Sequence, residues 1–525
     1  MTPFLESAAA PPGTPSAAAG TLAPLSAARS RGEVGLHAGL VLLAALAVAA
    51  AALSDQPVAA VAPAVLVAAV WAVWRAPMRV TLYAACFLLL ALEGAGDGSG
   101  RFRSPLYGAA MFLHSNLNLS LPIKALRFAG IDLIAALLGV VAAARGISGA
   151  RIDRDGRVPT ARPMLLGACL TLAGILAMSS WGVLHGGNTA QIPWQAHQLA
   201  FVAVFFFLFA AALPGRADHA LLGKLVVGAA LVKAAVASYV RWGLHYNKVE
   251  VPTATSHQDS ILFAAACAIL LAQLWEAPSR LAVKRAVLCA PLLLLGMVAN
   301  NRRLVWVELF AIGTLIWALS PRSILKKRLT TALVALLPLG AVYLGVGWKS
   351  HSSIFKPVQT IRSVVDSKSD RSSETRDVEN YNLLTTFRQH PLTGLGFGHE
   401  YTEFVKMDDI KTIFPQYRYI PHNSILGLWA FGGLFGFFLL FASVTVGVYL
   451  AARSYRFARA PADRVAALVC LAVAVTWTLQ AYGDMGVVSW HGSVLLGGAL
   501  AAAAKLAIST GAWRTGAAAS EVAFG

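Results

Sequence analysis

The chain has 525 residues, of which 57% are hydrophobic and 13% are charged. Ordinary soluble domains carry about 25% charged residues. Together with a mean hydropathy of +0.64, this composition indicates an integral membrane protein and excludes a soluble enzyme, a nucleic-acid-binding module and a disordered scaffold. The net charge of +18 needs no nucleic acid partner, because membrane proteins retain Lys and Arg in their cytoplasmic loops.

The apolar residues form long runs rather than the ten-residue alternation of an outer-membrane barrel. The sequence therefore predicts an all-α integral membrane protein with about fourteen transmembrane helices, and at least twelve. The predicted spans are 34–54, 58–74, 79–94, 128–144, 164–184, 198–214, 221–240, 259–275, 286–300, 303–320, 329–348, 424–450, 465–482 and 490–508.

The basic residues predict the orientation of these spans. With the N-terminus inside, the short cytoplasmic connections hold twenty Lys and Arg, five of them between Arg145 and Arg162. The positive-inside rule then places both termini in the cytoplasm and the long loop from Lys349 to Pro421 in the periplasm. The predicted domains are a flexible cytoplasmic tail without a signal peptide (1–33), a bundle of about eleven spans (34–348), the periplasmic loop (349–423), the C-terminal transmembrane helices (424–508) and a cytoplasmic tail (509–525).

The long loop contains a predicted helix from Arg376 to Gln389, with Tyr381, Leu384 and Phe387 at spacings of three. We expect it to lie on the outer membrane surface and to stop before Pro391, because proline disfavours helix in the residue before it. The glycines of 394–398 follow. They indicate either a backbone that approaches a ligand closely or a plain loop.

His422 opens span twelve at the end of the loop. Its side chain titrates near neutral pH, so it can accept a proton from a hydroxyl nucleophile, or it can simply anchor the helix mouth. Gly432, Gly433 and Gly436 follow at the spacing of small residues that lets membrane helices pack closely.

Arg302 and Arg303 lie in the outer turn between spans nine and ten. A guanidinium presents a planar fork of donors suited to diphosphate oxygens, whereas a single arginine at this depth is also explained by contact with lipid headgroups. Arg241, Arg376 and Arg418 are candidates to complete a cationic cleft. No pattern of carboxylates resembles a metal site, and the sequence indicates no cofactor.

These motifs, in this order, resemble the O-antigen ligase and Wzy polymerase superfamily. The resemblance rests on the Asn301-Arg302-Arg303 turn, on the loop from Arg376 through the segment 390–398, and on His422-Asn423 followed by nine residues, Gly433, two residues and Gly436. It covers about residues 290–450, with a weaker echo at 128–133. The turn departs from the family's usual Ser-Arg followed by a small residue, and the hairpin 185–197 lacks the family's earlier outer arginine, for which Arg241 is the substitute.

The resemblance implies a metal-independent glycosyltransferase, similar to membrane enzymes of the GT-C type, in the bacterial inner membrane. It implies an undecaprenyl-diphosphate-linked oligosaccharide as donor at the periplasmic face, and a glycan or lipid A core, or a protein, as acceptor. His422 then takes the proton of the acceptor hydroxyl, and Arg302, Arg303 and Arg241 bind the diphosphate. Arg376, Arg418 and Asn423 are possible substrate contacts.

Two other functions stay open. A flippase or exporter of a lipid-linked sugar also needs arginines, but we expect such a protein to carry ionisable residues along a central pathway, and here Asp132 and Lys233 are the main mid-span candidates. Within the enzyme class, the additional spans and long tails slightly favour a polymerase over a ligase.

Overall fold

The computed structural model describes residues 45, 67–92, 106–117, 128–147, 158–243, 254–322, 324–350, 352–355, 358–359, 362, 371–407, 409–412 and 414–514. Residues 1–77 and Met78–Gly525 form two compact units. In the first, residues 67–75 are helical. The predicted tail 1–33, the span 34–54 except residue 45, and most of the span 58–74 lie outside the described residues, so the total of fourteen spans stays a prediction.

The second unit is built from helices. In chain order they are α1 (Met78–Ala91), α2 (Tyr107–His114), α3 (Gly130–Ile147), α4 (Arg162–Leu184), α5 (Ile192–Ala212), α6 (Arg216–Ser238), α7 (Asp259–Glu276), α8 (Arg280–Asn300), α9 (Leu304–Leu319), α10 (Ile324–Gly347), α11 (Arg371–Gln389), α12 (Ser424–Phe457), α13 (Pro461–Gly483) and α14 (Trp490–Ser509). A π-helical turn, Tyr239–Gly243, extends α6, and a short 3₁₀ helix spans Ser353–Phe355.

Nine helices in the described part of the chain are long and apolar enough to cross a membrane, and α1 and α9 are shorter apolar helices. Each of the twelve predicted spans from 79–94 onwards coincides with one helix of the second unit. The prediction of a multi-pass helical membrane protein is therefore confirmed. The start of the span 198–214 was wrong by six residues, because α5 begins at Ile192 and its first turns carry the polar Gln195 and His197.

Helix α14 lies at the centre of the bundle, packed against α5, α12 and α13. In its apolar window 89% of the residues are buried, against none in the window of α10. Gly497 makes the contact with α5 possible, because a Cβ there would lie 2.7 Å from the Cβ of Phe205. Small residues of this kind let membrane helices approach closely.

The long loop packs on one end of the bundle, which we call the loop face. Phe397 in the loop donates its N–H to Met178 of α4, and Gln195 of α5 donates to the carbonyl of Tyr419. Helices α4, α8, α10 and α13 end at this face, and α5, α7, α9, α12 and α14 begin there. All candidate site residues lie at the loop face.

Candidate active site

The membrane helix α12 is broken at Gly433, whose φ of +56° and ψ of −161° are not helical. The break leaves backbone groups without helical partners, and the loop after α11 binds them. Leu434 and Phe435 donate to the carbonyls of Pro391 (2.8 Å) and Leu392 (3.1 Å). In return, the carbonyls of Ala430 and Phe431 accept from the N–H groups of Leu395 (3.1 Å) and Gly396 (2.7 Å). Inside a membrane such irregular backbone is stable only where protein satisfies it.

The glycines of 394–398 allow the loop backbone to approach α12 and α4 closely. A Cβ on Gly394 would lie 2.3 Å from the carbonyl oxygen of Phe431, and one on Gly396 would lie 2.4 Å from the backbone nitrogen of Gly182 in α4. These glycines therefore bring the loop close to the chain's own backbone in α12 and α4. Of the three glycines predicted to pack between helices, Gly436 does so against Met178, whereas Gly433 forms the break.

Helix α11 ends at Gln389 as predicted, although it begins five residues earlier, at Arg371. The face that packs in the protein is mainly polar, with Leu383 as its buried apolar residue. Glu379, Asn382 and Thr386 are buried there, and Asn382 binds the backbone of Phe404 and Val405. The apolar residues used to predict the helix lie elsewhere: Tyr381 and Leu384 are exposed, and Phe387 contacts the ring of Trp429 in α12.

His422 is held by Glu379. One carboxylate oxygen of Glu379 accepts from the backbone N–H of His422 (3.1 Å) and from its Nδ1 (3.2 Å). Because this oxygen is an acceptor, the neutral ring carries its proton on Nδ1 and a lone pair on Nε2. The Glu379 side chain is 3% exposed and the His422 side chain 31%. The arrangement is a buried carboxylate that orients an accessible imidazole, which suits a general base.

The residues that follow His422 and Glu379 in the sequence, Asn423 and Asn380, also form a hydrogen bond with each other. Asn423 caps α12 by accepting the N–H of Leu426 (3.1 Å), and its amide donates to Asn380, the neighbour of Glu379 (3.1 Å). The structure therefore gives Asn423 a positioning contact, between α11 and α12. Near Glu379, burial raises the pKa of the Tyr401 hydroxyl, and the charge of Glu379 raises it further. Tyr401 thus stays protonated at neutral pH.

Arg376 lies one turn before Glu379 on α11. Its guanidinium donates to the carbonyl of Gly483 (3.0 Å) and lies 3.7 Å from the carboxylate of Asp484. The same turn holds His422, since Met485 donates its N–H to the His422 carbonyl (2.7 Å). The connection between α13 and α14 thus joins Arg376 to the histidine. Arg376 and His422, predicted separately, are brought together.

The arginine turn 301–303 is fixed by buried polar contacts at the end of α8. Asn300 accepts from Thr255 (3.0 Å) and donates to Ser260 (3.1 Å), and Asn301 adopts the left-handed conformation that ends the helix. Arg302 is half-buried and Arg303 is exposed. Arg241 lies beside this turn, with its guanidinium 3.5 Å from the carbonyl of Ala299. Arg241 therefore lies close in space to the turn that carries Arg302 and Arg303.

The arginine turn and the histidine site share a neighbour. Leu304 follows the turn directly, and a Cβ on Gly483 would lie 3.0 Å from its side chain. Gly483 also accepts the hydrogen bond from Arg376. The turn after α13 therefore contacts both groups of candidate residues.

Arg418 has a different environment. Its guanidinium lies 3.0 Å from Glu400 and 3.8 Å from Glu403, and Tyr417 donates to Glu403 (2.9 Å). Its charge is thus balanced by two carboxylates of the loop, Glu400 and Glu403.

Three acidic side chains that the sequence did not single out lie at this end of the bundle: Glu379, Asp484 and the fully buried Glu308 of α9. A fourth, Asp259, pairs with Lys233 at 3.2 Å, and both are fully buried. Asp132, expected within a span, lies at the start of α3 and contacts His197 at 2.7 Å.

Among the residues that the structure describes, no group of three or more His, Cys, Asp or Glu side chains is arranged to hold a metal ion.

The comparison with known families concerns this part of the chain. Residues 287–441 match the Wzy_C family model, described as O-antigen ligase. The resemblance is confirmed. The matched segment contains the arginine turn, the whole long loop, His422 and the broken half of α12. No curated protein matches the chain. The family match supports a glycosyl-transferring role of the O-antigen ligase or polymerase type, in a multi-pass membrane protein.

Proposed function

We propose that the protein is a glycosyltransferase that uses an undecaprenyl-diphosphate-linked oligosaccharide at the loop face, which is periplasmic, in surface polysaccharide synthesis. The acceptor is a second lipid-linked glycan, as in a Wzy-type polymerase. The observation that carries the proposal is the pair of His422 and Glu379 within the segment that matches the family model.

In this proposal His422 is the general base. Glu379 holds the ring through Nδ1, so Nε2 takes the proton of the acceptor hydroxyl while the hydroxyl oxygen attacks the anomeric carbon of the donor sugar. The bond between that carbon and the diphosphate oxygen breaks. The negative carboxylate then stabilises the imidazolium that forms.

The leaving group gains negative charge on its diphosphate. Arg302, Arg303 and Arg241 lie at one corner of the loop face and Arg376 lies beside the histidine. Fixed guanidinium groups stabilise developing charge where it forms, and they need no divalent ion to do so. We therefore propose diphosphate binding by the first three and a donor contact by Arg376.

The test is glycan transfer by purified protein with a polyprenyl-diphosphate donor, with and without EDTA. A positioned base contributes about 10²- to 10⁴-fold, so His422→Ala should lower transfer by that factor at normal abundance. His422→Gln should be nearly as impaired, because an amide cannot take the proton. His390→Ala is the matched control, since His390 is an exposed histidine of the same loop. Robust transfer by His422→Ala would reduce His422 to a helix anchor, and loss of wild-type activity in EDTA would overturn the metal-free mechanism.

The second candidate is an O-antigen ligase that transfers the glycan to lipid A core or to protein, and the matched family model carries the description O-antigen ligase. A deletion strain separates the two enzymes. Single repeat units on the surface lipid indicate a polymerase, and free polyprenyl-linked polymer indicates a ligase. A flippase or exporter is the third candidate. The buried pair of Lys233 and Asp259 would suit it, but a flippase would not form glycosidic bonds in the purified assay.

A further inference from the structure

The second unit contains a cavity of about 550 Å³ that none of the residues discussed so far lines. It lies between α1, α5, α6, α7, α8, α13 and α14. Most of its wall is aliphatic, as at Leu90, Val226, Ile269, Val469 and Val494. Apolar cavities of this kind bind apolar ligands rather than water, because their walls offer water no hydrogen-bond partners.

The cavity has one polar end. His219 in the first turn of α6, Ser279 before α8 and Asp463 in the first turn of α13 line it, together with Arg285. These positions all lie at the end of the bundle opposite the loop face. Arg285 is exposed there, so a guanidinium stands at the polar mouth of a space whose other walls are apolar, at the same end as the buried carboxylate of Asp463.

The cavity is long enough to hold an acyl chain. Along α7 its lining runs from Ala277 to Ala265, which is about 18 Å at 1.5 Å per residue. One leaflet contributes about 15 Å to the hydrocarbon core of a bilayer. Along α14 the lining continues to Val494, four residues after the helix begins at the loop face, so the cavity starts at the opposite end of the bundle and extends past its middle.

A charged layer separates the cavity from the candidate active site. Asp259 lies six residues before Ala265 on α7, about 9 Å nearer the loop face. It contacts Lys233 (3.2 Å) and His491 (3.6 Å), and all three side chains are buried. An aliphatic chain in the cavity would have to cross this layer to reach the loop face. We therefore infer that the ligand enters from the opposite leaflet, at the polar end of the cavity and away from the candidate active site.

We propose that this cavity binds one acyl chain of a phospholipid from the leaflet opposite the loop face, with the lipid phosphate at Arg285. The chain matches the length and apolar wall of the cavity, and the phosphate matches the planar donors of a guanidinium. Membrane lipid is also the apolar ligand that surrounds the bundle. The site is independent of the proposed glycosyl transfer.

Photolabelling of the purified full-length protein in nanodiscs tests the proposal. The probe is phosphatidylglycerol with a diazirine near the end of one acyl chain, and labelled peptides are mapped by mass spectrometry. We expect adducts on α7, α13 and α14 near Val473 and Val494, which line the deep end. Labelling confined to outward-facing residues, such as those of α10, would overturn the proposal.

Three variants sharpen the test. Gly223→Phe fills the cavity, since a Cβ at Gly223 meets nothing closer than 3.7 Å, and it should abolish the deep adducts. Arg285→Gln should lower them about tenfold through loss of a charge-assisted hydrogen bond. Lys284→Gln is the control, because Lys284 is exposed beside Arg285 and lines no part of the cavity. Deep labelling that is equal in wild type and Gly223→Phe would overturn the proposal, provided that both proteins elute identically.

The chain's own N-terminal segment is the competing occupant. Cys470 lines the cavity and is a free thiol, so a short bifunctional reagent can report its neighbours. Cross-links from Cys470 to residues before Met78, without deep lipid adducts, would assign the cavity to that segment and overturn the proposal.

Discussion

Glu379 is the residue whose replacement tests the proposed mechanism most sharply. One of its oxygens accepts both the N–H and the Nδ1 of His422. In Glu379→Gln the amide oxygen can take the same position, so the ring keeps its orientation and only the negative charge is lost. Hydrogen bonds to charged groups contribute about 1 kcal/mol more than neutral ones, and about 1.4 kcal/mol is a tenfold change in rate. We therefore expect kcat to fall about fivefold.

Glu379→Ala removes the orienting contact as well. Its loss should approach the 10²- to 10⁴-fold contribution of a positioned base, and we expect about 10²- to 10³-fold. The assay is glycan transfer by purified protein at saturating donor, with folding checked by gel filtration. Because Glu379 acts through the histidine, adding Glu379→Ala to His422→Ala should cause little further loss. Full activity of Glu379→Ala, or losses that multiply in the double variant, would refute this account of the pair.

Two more predictions concern the cations. Arg302→Lys or Arg303→Lys should lose much of the activity, because a point charge cannot reproduce a bidentate contact with diphosphate; full transfer by both Lys and both Ala variants would exclude the turn as the diphosphate site. For the topology, single cysteines in the loop 145–162 should resist an impermeant thiol reagent in spheroplasts, whereas cysteines in the loop 349–421 should react, as the distribution of basic residues predicts. Labelling of the loop 145–162 in spheroplasts would contradict the predicted orientation.

The helices could be predicted from the sequence because burial in a membrane needs long apolar runs, and a run is a local property of the chain. Their starts were less certain where polar residues occupy the first turn. Helix α5 shows this, since Gln195 and His197 lie within it and bind the loop and Asp132. A search for apolar runs therefore starts the helix too late.

The partner of His422 could not be predicted in the same way. Glu379 lies 43 residues earlier, in a helix whose apolar spacing pointed to the face of Tyr381 and Leu384. Of the four residues of this helix that the structure shows as buried, three are polar, because they bind His422 and loop backbone. Hydrophobic periodicity therefore marks the packed face only through Leu383. The sequence does place Arg376 and Glu379 three residues apart, on one face of the helix. That face can be assigned to the histidine site only from the structure, in which Gly483 contacts Arg376 and Met485 contacts His422.

The glycine motif was visible in the sequence, but its two glycines have different tasks, and this leads to a last prediction. The φ of +56° and ψ of −161° at Gly433 fall in a region open almost solely to glycine, where other residues lose about 1–3 kcal/mol. A Cβ there would also lie 2.5 Å from the nitrogen of Gly394. Gly433→Ala should therefore release the loop that carries the histidine and lower both transfer and thermal stability.

Gly436→Ala is the matched control for that variant. Its Cβ would lie 2.6 Å from the sulfur of Met178, and a methionine side chain can move aside because it is unbranched and flexible. We expect Gly436→Ala to keep most of the transfer activity. Limited proteolysis within the loop would report the release directly, because only Gly433→Ala should become sensitive around Leu392. Equal protease resistance and equal transfer in both variants would mean that the break in α12 does not hold the loop, and that Gly433 contributes to packing alone.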